Sequence, residues 1–313
     1  MSADSRKRIA LLGHPVSHSI SPRFQQAALD ALGIAATYEA WDTPPEDVPI
    51  AVERLRSGDL LGANVTVPHK VAVMRLVDRP DALAERVGAV NTVVNRNGLL
   101  EATNTDVAGI LRTFEGAQVP LAGKQIALIG AGGAARAVVV AMRQAGAARV
   151  TIVNRTQARA EELAPLGGDE LDLRFAPLDP SDPTFRSTFD SADVVVQSTS
   201  VGMRHGPAEH DSPVPDDAIG EGQVAFDLVY VPEATPFLRN ASEHGAVAIG
   251  GLDMLVHQGA ASFELWTGRK APLEVMFQAA RAALAERERS TPGSGSEDTG
   301  PGTSGAADST GGA

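Results

Sequence analysis

The segment NVTVPHK, residues 64–70, runs apolar and β-branched until Pro68 and then ends on Lys70. Further along, TNTDVAGI places an acid, Asp106, ahead of another apolar stretch. An ammonium and a carboxylate can work as a unit in ketone reduction. The amine gives a proton to the carbonyl oxygen and steadies the negative charge that develops there. The acid fixes the position of the amine. The hydride has to come from a cofactor. The plain alternative for Lys70 is a solvated strand end, because most lysines are exposed, so the pair carries weight only if other segments build a site around it.

A second candidate is GHPVSHSISP, residues 13–22, with hydroxyls at Ser17, Ser19 and Ser21 just after an apolar strand, IALLG, at 9–13. Ser17 and Ser19 can both donate to a carboxylate. Ser21 is more simply the N-cap of a helix with Pro22 at its first position and Gly33 as its stop. By itself this stretch reads as a turn and a cap.

The third candidate is GAGGAA, residues 130–135. Gly130, Gly132 and Ala135 fit G-x-G-x-x-G/A between a predicted strand and a predicted helix, with Ala131, Gly133 and Ala134 completing the turn. Such a turn lets the backbone approach a pyrophosphate, and the helix N-terminus offers N–H groups and positive partial charge to it. The next strand selects the cofactor. An NAD site usually ends that strand on Asp or Glu. Here it ends VNRTQAR, giving Asn154, Arg155 and Thr156, with Arg159 one turn later. No carboxylate repels a 2′-phosphate, and the two arginines can hold one. A cation at a helix start is unfavourable without a reason, so the cofactor is read as NADP.

These residues need a scaffold, and the chain supplies an alternation of strands and helices typical of an α/β fold. TYEAWD and GANVTVP read as strands with a helical segment near 46–57 between them, and AVNTVVN, RNG and LLEATN read as a hairpin. The unit KQIALIGAGGAARAVVVAMRQAGAARVTIVNRT, residues 124–156, is strand, turn, helix and strand. Further strands are VVVQST, QVAFDLVY and AVAIG, and two helices close the ordered chain at about 252–266 and 272–288. The first of these is apolar enough to be well buried. The predicted division is a substrate-binding domain over 1–105, a Rossmann-type domain over 106–251, a return of the closing helices to the first domain, and a disordered tail over 289–313 whose Gly, Ser, Thr and Pro cannot bury a core.

Composition limits the partners. The chain has 313 residues, enough for two domains, and a formal charge of −12, which argues against nucleic acid or an anionic membrane. With no cysteine there is no disulfide, thiol chemistry or zinc–thiolate site. The seven histidines form no metal motif, and no metal is expected. No apolar run approaches the ~20 residues of a membrane span, and the N-terminus lacks a signal-like core. The expected setting is the cytoplasm, with a small-molecule substrate and a homodimer as one option for assembly.

Taken together, GHPVSHSISP, NVTVPHK, GAVNTVV, TNTDVAGI, GAGGAARA, VNRT, FDLVYVPEATPFL and GLDMLVHQGAASFELWTG, in this order, resemble the shikimate dehydrogenases from about residue 8 to 288. The resemblance implies two α/β domains with substrate and NADP in the cleft, and reduction of 3-dehydroshikimate. It implies Lys70 and Asp106 as the catalytic pair and Ser17 and Ser19 on the substrate carboxylate. Thr66, Asn91, Tyr230 and Gln258 would bond the ring oxygens or carboxylate. Gly130 to Ala135 and Asn154 to Arg159 would hold NADP, with Leu228 and Gly251 bordering the nicotinamide. Two departures touch none of the catalytic positions: RFQQAAL stands where relatives have His-Asn before the alanines, and YVPE where many have YNP.

Two other functions compete with this one. A broader quinate/shikimate dehydrogenase would need room for an extra hydroxyl at the serine loop; Ser19 and Arg155 point to shikimate and NADP instead. A non-catalytic NADPH-binding regulator on the same fold would be expected to have lost the Lys70–Asp106 pair, and both residues are present.

Overall fold

Two six-stranded sheets follow one another along the chain. The computed structural model describes residues 6–204 and 206–290. The first sheet contains β1 (Lys7–Gly13), β2 (Ala36–Asp42), β3 (Leu60–Val65), β4 (Arg79–Pro80), β5 (Thr92–Arg96) and β6 (Leu99–Thr103) in the order β2-β1-β3-β5-β6-β4. β2, β1 and β3 run parallel, whereas β3–β5 and β5–β6 are antiparallel. The β5–β6 turn uses Asn97 and Gly98, both at positive φ (56° and 93°), as a two-residue type I′ hairpin requires.

β1 is apolar at consecutive positions because both its faces are covered. Ile9 and Leu11 enter one core with Phe24 and Leu29, and Ala10 and Leu12 enter the opposite one with Val52 and Leu55. The first of these cores is completed from the far end of the chain. Val256, Ala260 and Phe263 of the helix Gly251–Thr267, and Met276 and Ala280 of the helix Leu273–Ser290, pack there. The closing helices therefore do return to the first sheet.

The second sheet is wholly parallel and contains β7 (Gln125–Ile129), β8 (Arg149–Asn154), β9 (Asp172–Pro177), β10 (Val194–Gln197), β11 (Val224–Asp227) and β12 (Val247–Ile249). Its order, β12-β11-β10-β7-β8-β9, is the doubly wound arrangement with a switch point between β7 and β10. Alternate residues again serve opposite cores: Ile126 and Leu128 on one face, Ala127 and Ile129 on the other. The helix Asp106–Gly116 joins the lobes. Val107, Ile110 and Phe114 enter the second lobe's core, while Arg112 pairs with Glu264 of the closing helix at 2.9 Å.

Several local expectations shift. Lys70 is not a strand end: β3 stops at Val65, and Lys70 is the first residue of the helix Lys70–Met74. Pro68 has no N–H to continue a ladder. Ser21 is not the N-cap but the first helical residue after Ile20, and its N–H donates to Ser19 Oγ at 3.2 Å. β11 ends at Asp227 rather than Tyr230, because the Asp227 carboxylate takes the Val229 N–H at 2.9 Å and turns the chain out of the sheet. The last helix runs to Ser290, so Arg289 and Ser290 are helical; the rest of the expected tail, 291–313, lies outside the described residues. β9 and the helices Pro183–Asp190 and Pro236–Glu243 had no expectation in the sequence.

Candidate active site

β1 and β3 are parallel neighbours, and their carboxyl ends deliver the serine loop and the Thr66–Lys70 turn side by side. The Thr66 N–H donates to Leu12 O at 2.8 Å and the His14 N–H to Val67 O at 3.1 Å. Buried His69 donates from Nε2 to Thr43 O at 2.6 Å, and the Lys70 carbonyl accepts from Val90 N–H at 3.1 Å. The backbone around Lys70 is thus held while its side chain stays partly open.

The Lys70 Nζ reaches Asp106 Oδ2 at 2.5 Å. Asp106 opens a helix of eleven residues, where a carboxylate suits the dipole. Its side chain is 9% exposed, against 27% for Lys70. Its backbone N–H donates to Asn104 Oδ1 at 3.1 Å, and Asn104 Nδ2 donates in turn to Ala89 O at 3.0 Å. Asn91 Nδ2 donates to Asp106 Oδ1 at 2.8 Å and to Gln258 Oε1 at 3.3 Å. Lys70, Asn91, Asp106 and Gln258 therefore form one connected group drawn from four segments.

Beneath it lies a buried hydroxyl network. The Asn91 Oδ1 accepts from the Thr105 N–H and from the hydroxyls of Thr92 and Thr105. Ser262 Oγ lies 2.7 Å from Thr92 Oγ1 and accepts from Asn64 Nδ2 at 3.0 Å, and Tyr38 donates to Asn64 Oδ1 at 2.7 Å. Such a network locks the rotamer of Asn91, because few of these polar atoms could find another partner in the interior.

The serine loop leaves β1 next to the turn that carries Lys70, and the two meet where the His14 N–H bonds Val67 O. Ser17 is exposed and Ser19 half-buried. Because Ser19 Oγ already accepts from Ser21 N–H, its hydroxyl hydrogen is left to donate outward. Tyr230 packs, partly buried, against the core that holds Val16 and Ile20. Burial pushes its phenol above the ordinary range, with the Arg287 charge opposing. The Asp227 carboxyl below it is fully buried, accepts from Val229 N–H and Thr235 Oγ1, and is pushed up to about 7 by burial.

The glycine-rich turn leaves β7 at the switch point. Gly130 has φ +101°, and a Cβ there would sit 2.8 Å from Thr199 Cγ2 and 2.9 Å from Ser198 Oγ at the end of β10. In front of Gly132 and Gly133 a Cβ would meet nothing within 4 Å. That open space, at the N-terminus of the helix Gly133–Gln144, fits a diphosphate. Arg136, in that helix's first turn, donates Nε to Val87 O of the first lobe at 2.5 Å. Arg155 and Arg159 are exposed and form no salt bridge among the described residues. The helix that begins after Arg155 is only Gln157–Glu161, so Arg159 falls in its last turn, where a cation is favoured. Only Arg155 therefore occupies the unfavourable position ahead of a helix start.

Leu228 and Gly251 are in contact: a Cβ on Gly251 would lie 2.6 Å from Leu228 O, so only glycine lets the closing helix begin there. The structure gathers Lys70, Asp106, Asn91 and Gln258 by direct hydrogen bonds; Thr66 lies in the turn that leads to Lys70, and Ser17 and Ser19 on the neighbouring loop after β1. The residues that sequence reasoning passed over are Asn104, the Asn64–Thr92–Thr105–Ser262 network and Arg287, which donates to the carbonyls of the serine loop. Ser262 had one visible signal, a hydroxyl inside an otherwise apolar helix. Among the described residues there is no group of three or more His, Cys, Asp or Glu placed to hold a metal ion, and no helix long and apolar enough to cross a membrane.

A doubly wound sheet with a glycine-rich turn, closed against a lobe that carries a lysine–aspartate pair, defines a two-domain α/β dehydrogenase architecture. Family models match in three stretches: the shikimate dehydrogenase substrate binding domain over residues 11–93, shikimate/quinate 5-dehydrogenase over 114–209, and the shikimate 5′-dehydrogenase C-terminal domain over 251–281. The NADP(+) shikimate dehydrogenase of Moorella thermoacetica is 46% identical over 277 residues, covering 88% of this chain and 93% of its own. A shikimate 5-dehydrogenase from Thermus thermophilus, solved with NADP(H) and shikimate, is 42% identical with a TM-score of 0.79, covering 89% of this chain and 100% of its own. A quinate dehydrogenase from Corynebacterium glutamicum, solved with NAD, is 27% identical with a TM-score of 0.81, covering 88% and 99%. The chain belongs to the shikimate dehydrogenase family.

Proposed function

We propose that this chain catalyses the reversible, NADPH-dependent reduction of 3-dehydroshikimate to shikimate, a step toward aromatic amino acids. The observation that carries this reading is the Lys70–Asp106 contact at 2.5 Å, set beside the serine loop. Bound NADPH would supply the hydride. Gly130 to Ala135 would cradle its diphosphate, and Asn154, Arg155, Thr156 and Arg159 would receive the adenosine end with its 2′-phosphate. Leu228 and Gly251 would border the nicotinamide.

The chain's own residues do the rest. The hydroxyls of Ser17 and Ser19, with Tyr230, hold the substrate carboxylate at one end. Thr66, Asn91 and Gln258 bond the ring oxygens and fix which carbonyl meets Lys70. Lys70 Nζ gives its proton to the carbonyl oxygen as negative charge develops there, and takes it back in the oxidation direction. Asp106 holds the ammonium in place and is itself held through both oxygens. The domain division proposed with this mechanism is 1–105 plus the closing helices for substrate and 106–251 for cofactor. A cytoplasmic setting and a homodimer belong to the same reading, without nucleic acid or membrane as partner.

The test mixes the pure protein with NADP and shikimate, then with NADP and quinate, and follows the absorbance of the reduced cofactor. Strong reduction with shikimate and weak reduction with quinate is expected; no reduction with either overturns the reading. Faster turnover with quinate would move the assignment to the broader quinate/shikimate class, against which Ser19 and Arg155 argue.

A further inference from the structure

The serine loop is secured by a residue almost at the other end of the chain. Arg287, in the last turn of the closing helix, donates Nη2 to Ser17 O at 3.1 Å and to Ser19 O at 3.2 Å, and Nη1 to His18 O. One residue earlier, Glu286 takes both Nη atoms of Arg23 at 2.7 and 3.0 Å, on the helix that follows the loop. The loop and its helix are thus fixed to the same turn of the closing helix.

We propose that Arg287 is a positioning residue for recognition of the substrate carboxylate, drawing three consecutive carbonyl oxygens onto one guanidinium so that the Ser17 and Ser19 hydroxyls face the ligand. The inference rests on the reading that those hydroxyls hold the carboxylate. Carbonyl oxygens carry negative partial charge, so a loop offering three of them to an anion would repel it. A planar fork of five N–H donors can collect several acceptors at once, which an ammonium cannot do in the same geometry. The guanidinium also leaves a positive charge behind the loop, where it acts on Tyr230 as well: it opposes the rise that burial imposes on that phenol. Ser17, Ser19 and Tyr230, the three candidate carboxylate ligands, therefore share one cation.

The alternative is a latch that only docks the helix. Arg287→Ala and the longer Arg287→Gln should each raise KM for shikimate by about five- to tenfold, as expected for loss of hydrogen bonds at a charged ligand. KM for NADP and kcat should stay within about twofold, by the same reasoning. The deciding readout is the ratio of kcat/KM for shikimate to that for its methyl ester, whose carboxyl is uncharged. That ratio should fall in both variants, recover partly in Arg287→Lys, and hold in the matched control Arg289→Ala. An unchanged ratio, with both substrates depressed alike or neither affected, overturns the inference. Ser17→Ala separates the two levels. If it leaves KM for shikimate unchanged, the carboxylate reading itself is wrong; if it raises KM while the Arg287 variants do not, only the role of Arg287 falls.

Discussion

Lys70 Nζ stands 2.5 Å from Asp106 Oδ2, and the second carboxylate oxygen of Asp106 is already bonded to Asn91. The aspartate is therefore fixed independently of the lysine. It can keep its position whatever the protonation state of Lys70, as the proposed proton transfer requires.

That arrangement makes Lys70→Ala a sharp test. A general acid typically contributes ~10²–10⁴-fold, so kcat should fall on that scale while KM for either ligand changes much less. Asp106→Asn keeps the contact with Asn91 but removes the charge facing Lys70, and kcat should also fall substantially. Because the two act together, the double variant should be little worse than the poorer single one. Near wild-type kcat in folded Lys70→Ala, with folding checked by circular dichroism, would refute the mechanism.

Arg155 should set the choice of cofactor. The ratio of kcat/KM for NADPH to that for NADH should be well above one and should collapse in Arg155→Ala, while Arg159→Ala should have a smaller effect because Arg159 sits favourably in its own short helix. Steady-state kinetics with the two cofactors reads this directly. A ratio that survives the substitution would remove the arginine from the 2′-phosphate site.

The hydroxyl network under Asn91 should matter to stability more than to chemistry. Ser262 is fully buried and meets Asn64, Thr92 and Thr105. Ser262→Ala leaves those groups short of a partner and should lower stability by ~1–3 kcal/mol in urea unfolding. A loss smaller than about 0.5 kcal/mol would mean that the neighbours re-pair without it.

Asp227 should give the fold a pH dependence. Its carboxyl is raised from an ordinary 3.8 to about 7 by burial, so the folded state keeps it protonated where the unfolded chain would ionise it. That contribution to stability is full below pH ~4, is lost as pH rises toward 7, and is gone above that. Each pH unit in this window is worth about 1.4 kcal/mol. Asp227→Asn, which cannot ionise, should gain on wild type by on the order of 2–3 kcal/mol between pH 5 and pH 8. A constant difference across that range would show that Asp227 does not titrate in it.

How much of this is legible in the sequence depends on how local each signal is. The glycine turn, the hairpin at Asn97-Gly98 and the apolar strands announce themselves within a few residues, since turn chemistry and periodicity are local properties. Lys70, Asp106, Ser17 and Ser19 stand out because short motifs carry them. What stays hidden depends on partners far apart in sequence. Nothing near Arg287 says that it reaches Ser17, and nothing near Ser262 points to Asn64. The end of β11 differs from expectation for a related reason: FDLVY is apolar enough for a strand, but the Asp227 side chain competes for the backbone and ends the ladder.

The chain passes between its lobes twice, at residues 104–106 and again at 250–251, and the two helices that begin there are tied together by Arg112 and Glu264. A lobe joined by a single strand could swivel in any direction. One joined at two points has fewer directions open to it, and rotation about the line through them is the least hindered. Movement about that line would widen or narrow the cleft without sliding one lobe past the other.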